Sequence, residues 1–145
     1  MPLDGDYEPS SWQFAADHVE RYERSGGTDG TTLRGMPVVV LTMLGRRTGK
    51  LRKVPIMRVE HEGTYAVVGS LGGAPNNPVW VYNLRANPNV TLQDGPTLYD
   101  LTARELTGAE RDLWWKRAVA AYPPYADYQA KTQRLIPVFV LEPLT

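Results

Sequence analysis

Apolar positions change period along the chain, and each change marks an element. Between Ser11 and Ser25 they recur at helical intervals, with Trp12, Ala15, Ala16, Val19 and Tyr22 on one stripe. Ser10 and Gln13 stand at capping-box spacing before this stripe. The glycines of "SGGTDG" close it, because glycine tolerates the left-handed conformation in which helices end. From Met36 the pattern becomes that of strands. "MPVVVLTML" is β-branched and continuous, as in a strand buried on both faces. "LRKVPIMRVE" alternates less cleanly, and Pro55, which has no N–H for a ladder, puts it at an edge or a bulge. "TYAVVGS" follows a turn at Glu62–Gly63. "NVTLQ" and "LYDLTARE" flank a turn at Asp94–Gly95–Pro96, and "LIPVFVLE" is the last strand.

Six short strands with hairpin-length connections predict an antiparallel sheet or barrel rather than a doubly wound α/β fold. Helical segments interrupt them. "NPVWVYNLRAN" spaces Val79, Asn83 and Ala86 for a helix, with Trp80 and Leu84 beside them. Thr107 and Glu110 form a second capping-box pair ahead of "ERDLWWKRAVAAY", which Pro123–Pro124 stops; "YADYQAKT" adds a further helical turn.

Composition narrows the class. A chain of 145 residues is one ordinary domain, divided here into an N-terminal helical segment, 1–30, and a barrel, 31–145. There is no cysteine, which excludes disulfides and thiolate chemistry. The start, "MPLDGDYEPSS", is acidic and polar, unlike a secretory signal. The longest apolar run is nine residues, too short to span a bilayer, so the cytoplasm is the default location. The first helix, with Trp12 near its start, could instead lie peripherally on the inner membrane face. Asp17, Glu20 and Glu23 on its polar side would be repelled by anionic lipid, which favours packing on the domain.

Charge sharpens the picture. The net charge is zero, yet residues 30–93 hold eight basic side chains and two acidic ones. Five of the basic residues, Arg46, Arg47, Lys50, Arg52 and Lys53, fall within eight positions of "GRRTGKLRK". A neutral protein with a local basic cluster suits a compact anionic ligand better than a general polyanion. The stretch is not a nucleotide phosphate loop. Gly45 and Gly49 are separated by three residues rather than four, Leu51 stands where a magnesium-binding hydroxyl is needed, and a strand follows in place of a helix. As a hairpin it collects Arg46, Arg47 and Lys50 at one end of a sheet, with Gly49 supplying a positive φ and Arg52 on the face opposite Lys53. Arginine suits phosphate because its planar fork bonds two oxygens at once. The alternative is a solvated hairpin whose charges prevent edge aggregation.

Two further constellations stand out. In "GSLGGAPNNPVWVYN" small residues precede a helix start, with Asn77 placed to cap and Pro78 at the first position; ligand approach and simple turn formation both account for it. Tyr122, Tyr125 and Tyr128 fall three residues apart, either as the wall of an aromatic ligand site or as a packing face with wet hydroxyls. Metal and serine-nucleophile chemistry find no support. His18 and His61 lie on separate elements and read as ordinary surface histidines, and "VGSLG" around Ser70 has Val68 where a nucleophile elbow needs glycine.

Taken in order, "GRRTGKLRKVP", "GGAPNNPVWVYNLRANP", "ARELTGAERDLWWKRAVAAYPPYADYQAKT" and "IPVFVLEP" resemble the deazaflavin-dependent nitroreductase family of actinobacteria, over Met36 to Pro143. The resemblance implies an α+β, mainly β fold: a six-stranded antiparallel split β-barrel of the flavin-reductase type with flanking helices. It implies coenzyme F420, an 8-hydroxy-5-deazaflavin with a phosphate and a polyglutamate tail, delivering hydride from ring carbon 5 to a quinone-like or nitroaromatic acceptor. By the same resemblance Arg46, Arg47, Thr48 and Arg52 hold the phosphate and tail, with Lys50 and Lys53 adding long-range attraction. Val54, Pro55 and Met57 line the ring, and Thr42, Ser70, Ala74, Asn77, Val79, Trp80 and Asn83 belong to the cofactor site. Tyr125 is the expected hydrogen-bond or proton donor, flanked by Tyr122 and Tyr128 on the acceptor side. Leu71 and Met57 depart from a known pattern that has lysine and tyrosine there, which bears on the acceptor range. The alternatives are an FMN-dependent reductase on the same barrel and a non-catalytic module for an anionic ligand or nucleic acid. The neutral total charge and the lack of aromatics within the basic run weigh against nucleic acid.

Overall fold

A computed structural model of the chain describes residues 3–143, so Met1, Pro2, Leu144 and Thr145 of the two expected segments lie outside the described residues. Eight strands form among the described residues: β1 (Thr32–Leu33), β2 (Met36–Leu44), β3 (Leu51–Met57), β4 (Val59–His61), β5 (Thr64–Val68), β6 (Asn89–Asp94), β7 (Thr97–Glu105) and β8 (Val138–Pro143). The helices are α1 (Gln13–Arg24), α2 (Val79–Ala86), α3 (Gly108–Ala121) and α4 (Pro124–Lys131), with a 3-10 turn at Leu71–Gly73.

All pairings between named strands are antiparallel, and the order β2-β6-β7-β8-β5-β4 accounts for most of the sheet. Closure comes from the one predicted strand that divides. β3 pairs with β2 and β4 pairs with β5, and only Arg58 separates them, so a single bent strand joins the two ends of the sheet. Counted that way the barrel has the six expected strands, and β1 is a short addition beside β2. Pro55 lies opposite Val40, and β3 has no second named strand beside it, so the missing N–H interrupts no ladder.

The pleat explains why β2 reads as a continuous apolar run. Val39, Leu41 and Met43 point into the barrel, against Trp80, Val81 and Leu84 of α2 and side chains from β6, β7 and β8. Val38 and Val40 point outward, into a second core beneath α1, α3 and α4 that holds Val19, Tyr22, Trp114 and Ala118. Alternate residues therefore serve two different cores, and both must be apolar. β5 and β8 divide in the same way, Tyr65, Val67, Phe139 and Leu141 inward, Ala66, Val68, Val138 and Val140 outward.

The predicted helices form, but not with the predicted caps. α1 begins at Gln13, and Trp12, placed on the buried stripe by its spacing, precedes the helix and is 66% exposed. Ser10 Oγ accepts from the Trp12 N–H, while the Gln13 amide donates to Asp17. At α3, Glu110 accepts two bonds from Arg104 instead of closing a box with Thr107. Asn77 does not cap α2; its side-chain oxygen accepts from Arg134 at 2.6 Å. In the last two cases an arginine is within reach, and a charged bond outcompetes a neutral cap.

His18, expected at the surface, is buried, with Nε2 2.7 Å from the Gly30 carbonyl. The loop that leaves α1 folds back over it. At the end of α1, Tyr22 reaches the β6–β7 turn, where its hydroxyl accepts from the Gly95 N–H at 2.7 Å.

Candidate active site

The β2–β3 hairpin tip, residues 45–50, is closed by bonds from the Gly45 N–H to the Lys50 carbonyl (2.8 Å) and from the Gly49 N–H to the Gly45 carbonyl (2.9 Å). Gly49 takes φ 69°, the conformation its residue type permits. α2 holds this tip from the side. The Asn83 side-chain oxygen accepts from the Arg46 N–H at 3.0 Å, and the Arg46 guanidinium lies over the Tyr82 ring, 5.1 Å from its centroid.

The acidic ends of the chain answer part of the basic run. Arg52 pairs with Glu8 at 2.9 Å and Lys53 with Glu23 at 2.6 Å. Arg46, Arg47 and Lys50 have no acidic partner among the described residues. Three cations of one loop thus form no ion pair among the described residues.

Arg46 and Arg47 open onto a groove with two chemically different ends; Lys50 lines neither. The polar end, about 350 Å³, is lined by Gly45, Arg46, Arg47 and Thr48, with Glu8 on its edge. The apolar end, about 230 Å³, is lined by Leu33, Met43, Val54, Pro55, Leu71, Trp80 and the exposed aromatics Trp12 and Phe14. Arg52, Val79 and Asn83 border both, so the two hollows adjoin. Trp80 serves both groove and core, being 8% exposed and packed against Phe139 with ring centroids 6.1 Å apart.

The far wall is held by Arg134, which the sequence reading did not single out. Its guanidinium donates to the carbonyls of Ala74 (2.8 Å), Gly69 (3.1 Å) and Ser70 (2.7 Å) and to Asn77 Oδ1 (2.6 Å). It has no carboxylate partner among the described residues, and burial lowers its pKa below the ordinary arginine value. Gly73 presses the same segment against α4. A Cβ there would stand 2.7 Å from the Tyr128 carbonyl oxygen.

Of the sequence-selected residues, Arg46, Arg47, Thr48, Arg52, Val54, Pro55, Val79, Trp80 and Asn83 converge on the groove. The others stand elsewhere. Thr42 opens onto a separate hollow with Glu23, Thr91 and Gln93. Met57 is in the outer core. Ser70, Ala74 and Asn77 meet Arg134 and support the wall from behind. Tyr122, Tyr125 and Tyr128 form a ring cluster behind the 3-10 turn, with the Tyr122 and Tyr128 hydroxyls 3.0 Å apart and both accepting from Arg34. None of the three lines either hollow. Burial drives the Tyr125 hydroxyl far above its ordinary pKa, so it stays a neutral phenol. Leu33, Trp12, Phe14 and Glu8 were not foreseen at the groove. Phe14, an aromatic beside the α1 stripe rather than in it, was the one local signal.

The site thus sets an apolar hollow beside a basic hairpin loop on a closed antiparallel barrel. Residues 14–143 match the family model of the F420H(2)-dependent quinone reductases. An F420H(2)-dependent quinone reductase of Mycobacterium tuberculosis is 32% identical over 128 residues, 86% of each chain. Among solved structures, one described as an F420-H2 dependent reductase (FDR-A) is 58% identical, covering 73% of this chain and 94% of that one with a TM-score of 0.70. Another, described as a domain-swapped dimer, is 51% identical and covers 92% of this chain and 100% of that one, with a TM-score of 0.73. The chain belongs to the F420H(2)-dependent quinone reductase family and is an F420-dependent oxidoreductase. That decides between the deazaflavin and FMN in favour of the deazaflavin.

Proposed function

We propose that the groove binds reduced coenzyme F420, with the ring at the apolar end and the phosphate and glutamate tail at the hairpin, and passes its hydride to a quinone. The observation that carries this reading is that the two ends adjoin, with Arg52, Val79 and Asn83 lining both. The residues present fit the coenzyme in chemistry and in order. Arg46 and Arg47 supply charge with no ion pair among the described residues, Thr48 adds a hydroxyl, and Lys50 adds attraction from the same hairpin tip. Trp80, Val54 and Pro55 supply apolar surface for a ring.

Bound coenzyme supplies the hydride, from ring carbon 5; the protein supplies orientation, charge and exclusion of water. Arginine forks on the hairpin fix the anionic end. Asn83 keeps the Arg46 backbone in place, so the tip is anchored to α2 and not free. Trp80 ties the apolar end to the barrel core, Val79 lines it from the exposed side, and Trp12 and Phe14 form the mouth on the α1 side. Leu71 and Val79, both largely exposed, leave an apolar face for a flat, conjugated acceptor such as a quinone. A membrane contact to collect a lipid-soluble quinone would be confined to Trp12 and Phe14, because the rest of the α1 stripe is covered by the barrel. Among the described residues no helix is long and apolar enough to cross a membrane. The Tyr125 phenol, the expected proton donor, is buried behind the wall, its hydroxyl without a hydrogen bond among the described residues, and lines neither hollow, so its role is to pack α4 through ring contacts with Tyr122 and Tyr128.

Turnover of the reduced deazaflavin against a panel of quinones and nitro compounds tests the reading, together with a fluorescence titration of the oxidised coenzyme. Quinone turnover with micromolar coenzyme affinity is the expected result. Absence of binding at micromolar coenzyme would overturn it. Tyr125→Phe should leave kcat and coenzyme affinity near wild type, because its hydroxyl lines neither hollow.

A further inference from the structure

We propose that Glu8 is a built-in competitor at the anion end of the groove and so sets which anions that end accepts; this rests on the coenzyme reading above. Glu8 is the one acidic side chain lining the polar hollow among the described residues. Its position is set by the backbone. The Leu51 N–H donates to the Asp6 carbonyl at 2.7 Å, the Glu8 N–H donates to the Leu51 carbonyl at 2.9 Å, and Tyr7 bridges Leu51 in parallel. The N-terminal strap thereby extends the edge of β3, and Lys53 over the Tyr7 ring, 4.9 Å from its centroid, secures it.

Held this way, Glu8 Oε1 reaches Arg52 Nη1 at 2.9 Å. A carboxylate thus stands on the cation that borders both ends of the groove, in the chemical role of a ligand glutamate or phosphate. The pair is partly exposed, with 31% and 42% of the two side chains accessible, and such pairs are weak. A ligand phosphate that can bond the arginine fork with two oxygens displaces the single carboxylate contact. A weakly charged ligand gains little from the same exchange. Glu8 therefore selects for ligands with a concentrated anionic end.

The test is a double-mutant cycle on the full chain. Coenzyme F420 and inorganic phosphate are titrated separately into wild type, Glu8→Gln, Arg52→Ala and the double variant, at low and high salt. Glu8→Gln should bind each probe about fivefold tighter at low salt, with the gain shrinking at high salt. In the Arg52→Ala background the Glu8 substitution should change nothing. Equal or weaker binding by Glu8→Gln, or a gain that persists without Arg52, overturns the proposal while wild-type coenzyme binding leaves the groove assignment standing. If no variant binds either probe, the groove assignment and the proposal fall together.

Discussion

Arg134→Ala should unfold the protein more easily and loosen the groove wall. The side chain makes four hydrogen bonds of 2.8, 3.1, 2.6 and 2.7 Å, three of them to backbone carbonyls of the 69–77 segment. A bond involving a charged group contributes about 1.5–3 kcal/mol, so a simple sum would be on the order of 6–12 kcal/mol. That sum overstates the loss, because Arg134 is only part-buried and water can replace some of its bonds. Discounted for that access, the expected destabilisation is about 3 kcal/mol. Arg134→Lys keeps the charge but not the fork, and should lose about half as much. Urea unfolding followed by circular dichroism measures both, with the slope against urea expected to stay constant. The wall carries Leu71 and leads into Pro78 and Val79, so Arg134→Lys should also weaken coenzyme binding on the order of tenfold under conditions where it is fully folded. A loss below about 1 kcal/mol for Arg134→Ala, or wild-type stability and binding in Arg134→Lys, would refute the reasoning.

Arg47→Ala should leave the melting temperature nearly unchanged, since Arg47 is exposed and forms no ion pair among the described residues, yet weaken coenzyme binding about tenfold at low salt and less at high salt, read by fluorescence titration. Gly27→Ala would put a Cβ 1.8 Å from the Gly95 carbonyl oxygen at φ +82°, and should cost about 2–4 kcal/mol by thermal melting; Gly26→Ala, with nothing within 4 Å, should cost only about 1 kcal/mol of strain. Burial raises the pKa values of Tyr22, Tyr65 and Tyr125 above 10.0. Near that pH the unfolded chain releases protons that the folded chain keeps, so stability is full below about pH 10 and falls as pH rises toward the folded-state values. Thermal melts from pH 8 upward should show that fall, and Tyr125→Phe should flatten it.

Periodicity made the barrel strands and four helices legible, because burial on a pleated or helical face writes itself into the order of apolar residues. It also marked the hairpin as a strand–turn–strand unit, since glycine spacing excluded the nucleotide loop. It did not show where one strand bends. Nothing in "LRKVPIMRVE" marks Arg58 as the joint at which β3 leaves β2 and β4 joins β5. Capping spacings misled for a related reason. Glu110 and Asn77 had the right separation for helix ends, but Arg104 and Arg134, remote from those ends in sequence or on other elements, offered stronger bonds.

For the site, the residue types were readable and their partners were not. An arginine-rich hairpin announces an anion from composition alone, and small residues before Trp80 announce a close approach. Whether each cation is free depends on distance in space, which brings Glu8 and Glu23 from the acidic N-terminal part onto Arg52 and Lys53 and leaves Arg46, Arg47 and Lys50 without an ion pair among the described residues. Local order along the chain carries short-range physics: turn geometry, pleat and helical stripe. Electrostatic pairing and the meeting of Arg134 with the 69–77 wall act between residues far apart in sequence, so they exist only once the barrel has closed.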